Sequence, residues 1–239
     1  MKRTSSPFII LSILVLTSCS TVSFDRVELD SQRAEKIKSM AITHGPELKE
    51  IRVTYDFVPL QMGALNELAN QIRLERKEDK VNKQLLEATG GFDFSLYLQN
   101  QLQESFENAG IKVNKLKLQR KKDDFDYLHI LPEVSEDAIL DCYILALGFL
   151  GETESSPLLS SVTLQVRLYD SKEKIILYQD SFSYGYDNEM EDLNYLGRND
   201  QYTYENYDDL LSNANTAQEG IKDAIDHTAK AVALAILGQ

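Results

Sequence analysis

The 239-residue chain has only 2 cysteines and 3 histidines. It also has no uninterrupted apolar run near the roughly 20 residues that a membrane-spanning helix needs. His44, His129 and His227 are scattered, and there is no His-Glu-x-x-His, paired-cysteine or nucleophile-elbow motif. Zinc hydrolysis and triad-type acyl transfer therefore have no support in the sequence. His129 and Glu133 stand four apart, but Pro132 interrupts any helix that would align them. The glycine pair Gly90-Gly91 has no Lys-Ser/Thr after it, so it reads as a helix stop and not as a phosphate loop. Basic residues are also scarce. Against 38 Asp and Glu there are 25 Lys and Arg, a net charge of −13, and such a surface repels nucleic acid and anionic headgroups. The acidic pairs Glu191-Asp192 and Asp208-Asp209 lack the ordered spacing and glycine of a calcium loop. No cofactor, no metal, no nucleic-acid partner and no catalytic residue is expected, and the chain is read as a protein that is not an enzyme.

What the chain does have is a leader. Lys2 and Arg3 precede an apolar core from Phe8 to Leu16, which ends in Leu16-Thr17-Ser18-Cys19. A basic start followed by an apolar core of about nine residues is the pattern of a secretory signal. Leu16-Thr17-Ser18-Cys19 resembles the bacterial lipoprotein signal. The resemblance implies a branched residue at Leu16, small residues at Thr17 and Ser18, and lipidation of Cys19 after cleavage in front of it. Ser20 stands where, in enteric bacteria, an aspartate favours the inner membrane, which points to the outer membrane. Cleavage removes two bases and no acid, so the remainder is more acidic still. With Cys19 acylated, Cys142 has no partner within the chain, and its apolar surroundings predict a buried, inert thiol.

The expected organisation is a signal peptide over 1–18, an acylated tether or loosely docked arm over 19–36, and a single α/β domain over 37–239. A tether of about 17 residues reaches at most about 55 Å. Within the domain, residues 37–42 and 51–57 read as strands, and residues 60–88 as a helix whose second half is solvated. Asp93 is placed to cap a helix over 94–109, with Leu98, Leu102, Ser105, Phe106 and Ala109 on one face and Gly110 after its end. Ile111 to Leu118 reads as a lysine-protected edge strand. Residues 138–150 are nearly continuous in apolar side chains and predict a strand buried on both faces. Alternation at Val162, Leu164, Val166 and Leu168, the turn Asp170 to Glu173 and the run 174–186 predict a hairpin. The hairpin is too short and too polar to cross a bilayer. Thr216 and Glu219 form a capping-box signature ahead of the stripe Ile221, Ala224, Ile225, Thr228, Val232, Ala235 and Ile236.

Residues 184–211 differ in character from their surroundings. Half of the 12 tyrosines fall here, at Tyr184, Tyr186, Tyr195, Tyr202, Tyr204 and Tyr207, among many acids and the single base Arg198. Two readings stand side by side. One is a surface loop that presents Tyr186, Tyr195, Tyr202, Tyr204 and Tyr207 to a protein partner. The other is an insertion packed on its own domain, with its hydroxyls wet.

The succession of elements, carried by residues 94–113, 138–148, 162–178 and 216–237, resembles the α/β domain shared by the amino-terminal part of TolB, the curli-secretion lipoprotein CsgG and lipoprotein activators of peptidoglycan synthases. The resemblance implies a mixed sheet with covering helices. It also implies an envelope lipoprotein, membrane-bound through its lipid, that acts by protein contact as an accessory or assembly factor. The alternative it implies is a subunit of a homo-oligomeric secretion channel.

Overall fold

The computed structural model describes residues 26–45, 48, 51–55, 78–117, 132–153, 155–185 and 193–238. The lipobox, Tyr186 and His129 lie outside these, as do most of the helix expected over 60–88 and the basic run after the edge strand.

Among the described residues, eight strands form one mixed sheet: β1 (Ser39–Thr43), β2 (Arg52–Tyr55), β3 (Lys112–Leu116), β4 (Ala138–Gly151), β5 (Leu158–Asp170), β6 (Ile176–Tyr184), β7 (Asn194–Tyr195) and β8 (Thr203–Tyr204). The helices are α1 (Ser31–Ala34), α2 (78–88), α3 (Phe94–Asn108), α4 (Tyr207–Ser212) and α5 (Ala214–Leu237). This is the expected α/β class, a mixed sheet with helices packed on it. The strand order is β3-β1-β4-β5-β6-β7. β1 and β2 both lie parallel to β4 on the same edge, β1 at its start and β2 at its end, while β8 pairs with the start of β5.

β4 and β5 hold the sheet together because each is paired along both edges. Their register sets Leu140 beside Leu168, Cys142 beside Val166 and Ile144 beside Leu164. Side chains alternate across a strand, so these residues share one face, where they join the core with Leu98, Leu102 and Phe106 of α3 and Ile221, Ile225 and Val232 of α5. A bulge between Ile144 and Ala146 shifts the alternation by one, and Leu147 and Phe149 continue the same core face. On the other face Ala41, Ile139 and Tyr169 form a small second cluster. The next residues along that face are polar yet buried: Thr43, Asp141, Gln165, Arg167 and Gln179. The Thr43 hydroxyl donates to Asp141 Oδ1 at 2.7 Å, which ties β1 to β4.

Helix boundaries follow local chemistry in one case and tertiary context in another. Asp93 Oδ1 accepts from the Leu96 backbone at 2.9 Å, so the expected cap of α3 is present. Gly110 follows this helix with φ +84°, the left-handed turn that glycine adopts without strain. The buried face of α3 is Phe94, Ser95, Leu98, Gln99, Leu102 and Phe106, with Ala109 exposed. The capping box at Thr216 is not formed. α5 begins at Ala214, and Asn213 ends α4 by donating its backbone N–H to Asp209 and Leu210. The chain arrives already helical, and Thr216 sits exposed in the first turn of α5.

Candidate functional site

Of the two readings of the arm after Cys19, the structure supports the docked one over residues 26–36. Val27 exchanges two backbone hydrogen bonds with Gln179, each 3.0 Å, on the outer edge of β6. Arg26 Nε lies 3.2 Å from Asp180 Oδ2, a carboxylate only 3% exposed, which also accepts from the Tyr178 hydroxyl. Further on, Arg33 Nη1 meets Glu173 at 2.8 Å in the β5–β6 turn. A buried carboxylate needs a counter-charge or donors, and the alternating, sparsely apolar sequence of this arm gives no sign of that long-range need.

Two cavities flank the arm. One of about 300 Å³ is lined by charges of both signs, among them Arg33, Lys36, Lys172, Asp137, Asp170 and Glu173. The other, about 330 Å³, lies between the arm and the ends of α3 and α5, against Leu29, Ile37, Ile111, Ile236 and Leu237. Asp137 is spoken for at the first cavity. Its Oδ2 accepts from the backbone of Lys38 and Ser39 and from the Ser39 hydroxyl, each at 3.0 Å. Those bonds, the Lys38 amide foremost, hold its carboxyl below the usual range.

The structure separates four of the five tyrosines read as a partner surface, Tyr195, Tyr202, Tyr204 and Tyr207. Tyr204 and Tyr207 are core residues, 3% and 2% exposed, and do not present themselves to a partner. Tyr204 meets Phe149 edge-on at 5.4 Å, and Tyr207 packs on Tyr55 at 5.4 Å. The reason is β8, which pairs with β5 and carries Tyr204 inward, followed by α4, capped by Asn206 and burying Tyr207 and Leu210. Tyr202 is half-buried against Gly220 of α5. Tyr195 is 41% exposed on β7. Of the acids in this segment, Asp209 accepts from the Glu205 backbone and the Asn213 amide, so it closes local turns.

A cluster not anticipated from the sequence joins this segment to α5. Asp223 Oδ2 accepts from the Tyr184 hydroxyl at 3.0 Å and the Asn199 amide at 3.2 Å. The Tyr184 ring stacks on His227 at 5.3 Å, and His227 Nδ1 lies 2.9 Å from the Asp223 carbonyl. Burial and Asp223 push the Tyr184 hydroxyl up, so it stays a donor. One turn along, Tyr97 of α3 donates to Asp226 Oδ2 at 3.3 Å, and its own pKa is pushed up to about 12, by burial first. These groups staple helix to helix and helix to sheet. The i, i+3 spacing of Asp223 and Asp226 was visible beforehand; their partners, distant in sequence, were not.

Asp226 gives a pH prediction. Burial raises its carboxyl pKa, opposed by Tyr97 and Lys230, and its buried Oδ1 has no hydrogen-bond partner among the described residues. The folded state therefore holds this proton more tightly than the unfolded chain, and stability falls as pH rises from the usual carboxylate range through the raised value. Asp226→Asn is expected to remove that fall and to leave neutral-pH stability unchanged or higher, as urea titrations at a series of pH values would read. A loss of neutral-pH stability would show that the charged form is the one the fold wants.

Cys142 is free and 4% exposed, with burial first and Asp141 second pushing its thiol up. His44 Nε2 is 3.6 Å from Asp93, a link between the end of β1 and the cap of α3. Among the described residues no group of three or more His, Cys, Asp or Glu is placed to hold a metal, and no helix is long and apolar enough to cross a membrane.

No family model matches the chain, and no curated protein matches it. Solved structures do resemble it. One is a Xanthomonas campestris protein of the DUF330 family, at 10% identity over 84% of this chain and 85% of that one, with a TM-score of 0.43. Another is the PelC dodecamer of Paraburkholderia phytofirmans, at 9% identity over 85% and 94%, with a TM-score of 0.32. A third is a lipoprotein of Neisseria meningitidis, at 13% identity over 64% and 85%, with a TM-score of 0.29. At these TM-scores the likenesses carry no argument about what this chain does.

Proposed function

We propose that the chain is a lipid-anchored protein of the bacterial cell envelope, acylated at Cys19. In this reading it acts by protein contact, as an accessory or assembly factor on the periplasmic side of the outer membrane. The domain is read as one of the kind shared by TolB and CsgG. The observation that carries the proposal is the sequence Leu16-Thr17-Ser18-Cys19 behind a short apolar core, with the chain already docked on the domain by Arg26. A non-enzymatic role is supported by the way separate acids are engaged, since Asp137, Asp141, Asp209 and Asp223 each accept hydrogen bonds from their own domain.

Replacing the acylated thiol tests the anchor. Cys19→Ser is expected to abolish palmitate labelling and the acyl increments in the protein's mass, and to move it from the membrane pellet to the soluble fraction. Unchanged processing and fractionation would sink the proposal. Crosslinking in the envelope followed by mass measurement of the detergent-extracted protein tests the mode of action. The expected product is one copy, or a few, joined to another envelope protein. A closed ring of many copies would instead favour a channel subunit. The β5–β6 hairpin could not line such a channel without leaving its place, because β5 is paired along both edges and packed under α5.

A further inference from the structure

We infer that the outer edge of β6, where the arm and β7 lie, is the surface of the domain that faces the phospholipid membrane. The inference rests on acylation at Cys19 and adds an orientation to it. From Cys19 to Arg26 the chain takes about seven steps, which span at most about 25 Å even when fully extended. At Arg26 the path is fixed by the bridge from Val27 to Gln179 and by the ion pair with the buried Asp180. A domain of about 210 residues has a radius of gyration near 17 Å and so a diameter of roughly 44 Å. If the β6 edge pointed away from the bilayer, Arg26 would stand well beyond the reach of the acylated cysteine. The permitted orientations keep this edge near the membrane.

Direction and chemistry agree with the length. Val27 pairs antiparallel to β6, so the step from Val27 to Arg26 runs from Gln179 to Asp180, toward the end of β6 where Phe182 and Ser183 pair with β7. There Tyr195 is one of the few large hydrophobic side chains exposed among the described residues, at 41%, and its hydroxyl donates to the Gly185 carbonyl. Arg26, paired with Asp180, and Arg198, three residues after Tyr195 and paired with Asp200, keep side chains 63% and 51% exposed. A tyrosine with its ring out and its hydroxyl held suits the headgroup level, and with so many acids in this segment it is the lipid, not charge attraction, that holds the edge there. The opposite edge of the sheet, β3, lies four strand spacings away, about 19 Å, and its exposed Lys112 faces the aqueous compartment.

The experiment uses the full acylated protein with one introduced thiol, Tyr195→Cys or Lys112→Cys, carrying a fluorophore. Cys19 is consumed by the lipid and Cys142 is buried, so the introduced thiol alone takes the label. The protein is placed on vesicles of phosphatidylethanolamine and phosphatidylglycerol that carry a headgroup spin label. Position 195 is expected to be quenched several-fold more than position 112. Arg198→Cys, half-exposed, repeats the reading should the Tyr195 variant fold poorly. Equal or reversed quenching on protein whose mass shows the acyl chains overturns the orientation and leaves the anchor standing. Protein that lacks the acyl chains and stays off the vesicles overturns the anchor and the orientation together. Insertion of about 20 Gly/Ser residues after Ser20 adds roughly 25 Å of mean reach and is expected to collapse the difference. A difference that survives it would overturn the argument from length.

Discussion

Gly148→Val is expected to detach β2 from the sheet and to cost about 3 kcal/mol or more, the sum of overpacking and of backbone strain at positive φ. Gly148 has φ +151°, and a Cβ built on it would lie 1.8 Å from the Arg52 carbonyl oxygen and 2.8 Å from the Arg52 nitrogen. Both contacts are backbone, so no rotamer change relieves them. Arg52 is the residue that Gly148 faces in the β2–β4 pairing, and the next pair sets Val53, fully buried, beside Phe149. Pushing Arg52 away therefore opens the core and not merely the edge. Gly110→Ala is the contrast: φ is +84° but nothing lies within 4 Å of the added carbon, so only the left-handed strain of about 1–2 kcal/mol applies. Urea unfolding followed by far-ultraviolet circular dichroism compares the two. Equal costs would mean that the close approach of the backbones does not matter.

Tyr204→Ala is expected to lose about 3–5 kcal/mol, the range for removing a fully buried aromatic ring. Tyr204→Phe is expected to be neutral or slightly stabilising. The Tyr204 ring is 3% exposed against Phe149, while its buried hydroxyl has no hydrogen-bond partner among the described residues. Removing an unsatisfied buried polar group deletes a cost and not a bond. A tyrosine that served a partner surface would give the reverse pattern: little change in stability on truncation, and a loss of binding. The pair of variants thus separates the two readings of the tyrosine-rich segment at one residue, by unfolding free energy alone.

The two readings could not be separated in the sequence for a physical reason. Tyr195 and Tyr204 sit in similar polar, acidic surroundings, yet one is exposed on β7 and the other is core. What divides them is that β8 finds an unpaired stretch of β5 next to Leu158 and Leu159, a contact across more than forty positions of chain. The capping box at Thr216 failed for a related reason. A box is a local device for starting a helix, and α4 supplies the start earlier, at Asn213, because its own residues Tyr207 and Leu210 are held in the core. In both cases a local signal yielded to a packed neighbour.

By itself the sequence determined the α/β class, the buried β4, the β5–β6 hairpin, the Asp93 cap and the apolar stripe of α5. All of these are written in short-range patterns: an apolar run of set length, a period of two or of about 3.6, a capping residue at the right offset. Only the tertiary structure decided that the arm docks on β6 through Arg26 and Asp180, that Tyr204 and Tyr207 face inward, and that Asp223 and Asp226 staple α5 to its neighbours. Each of those depends on one polar or aromatic group meeting another far away in the chain, and the cost of burying it unpaired acts only once the sheet has brought the two together.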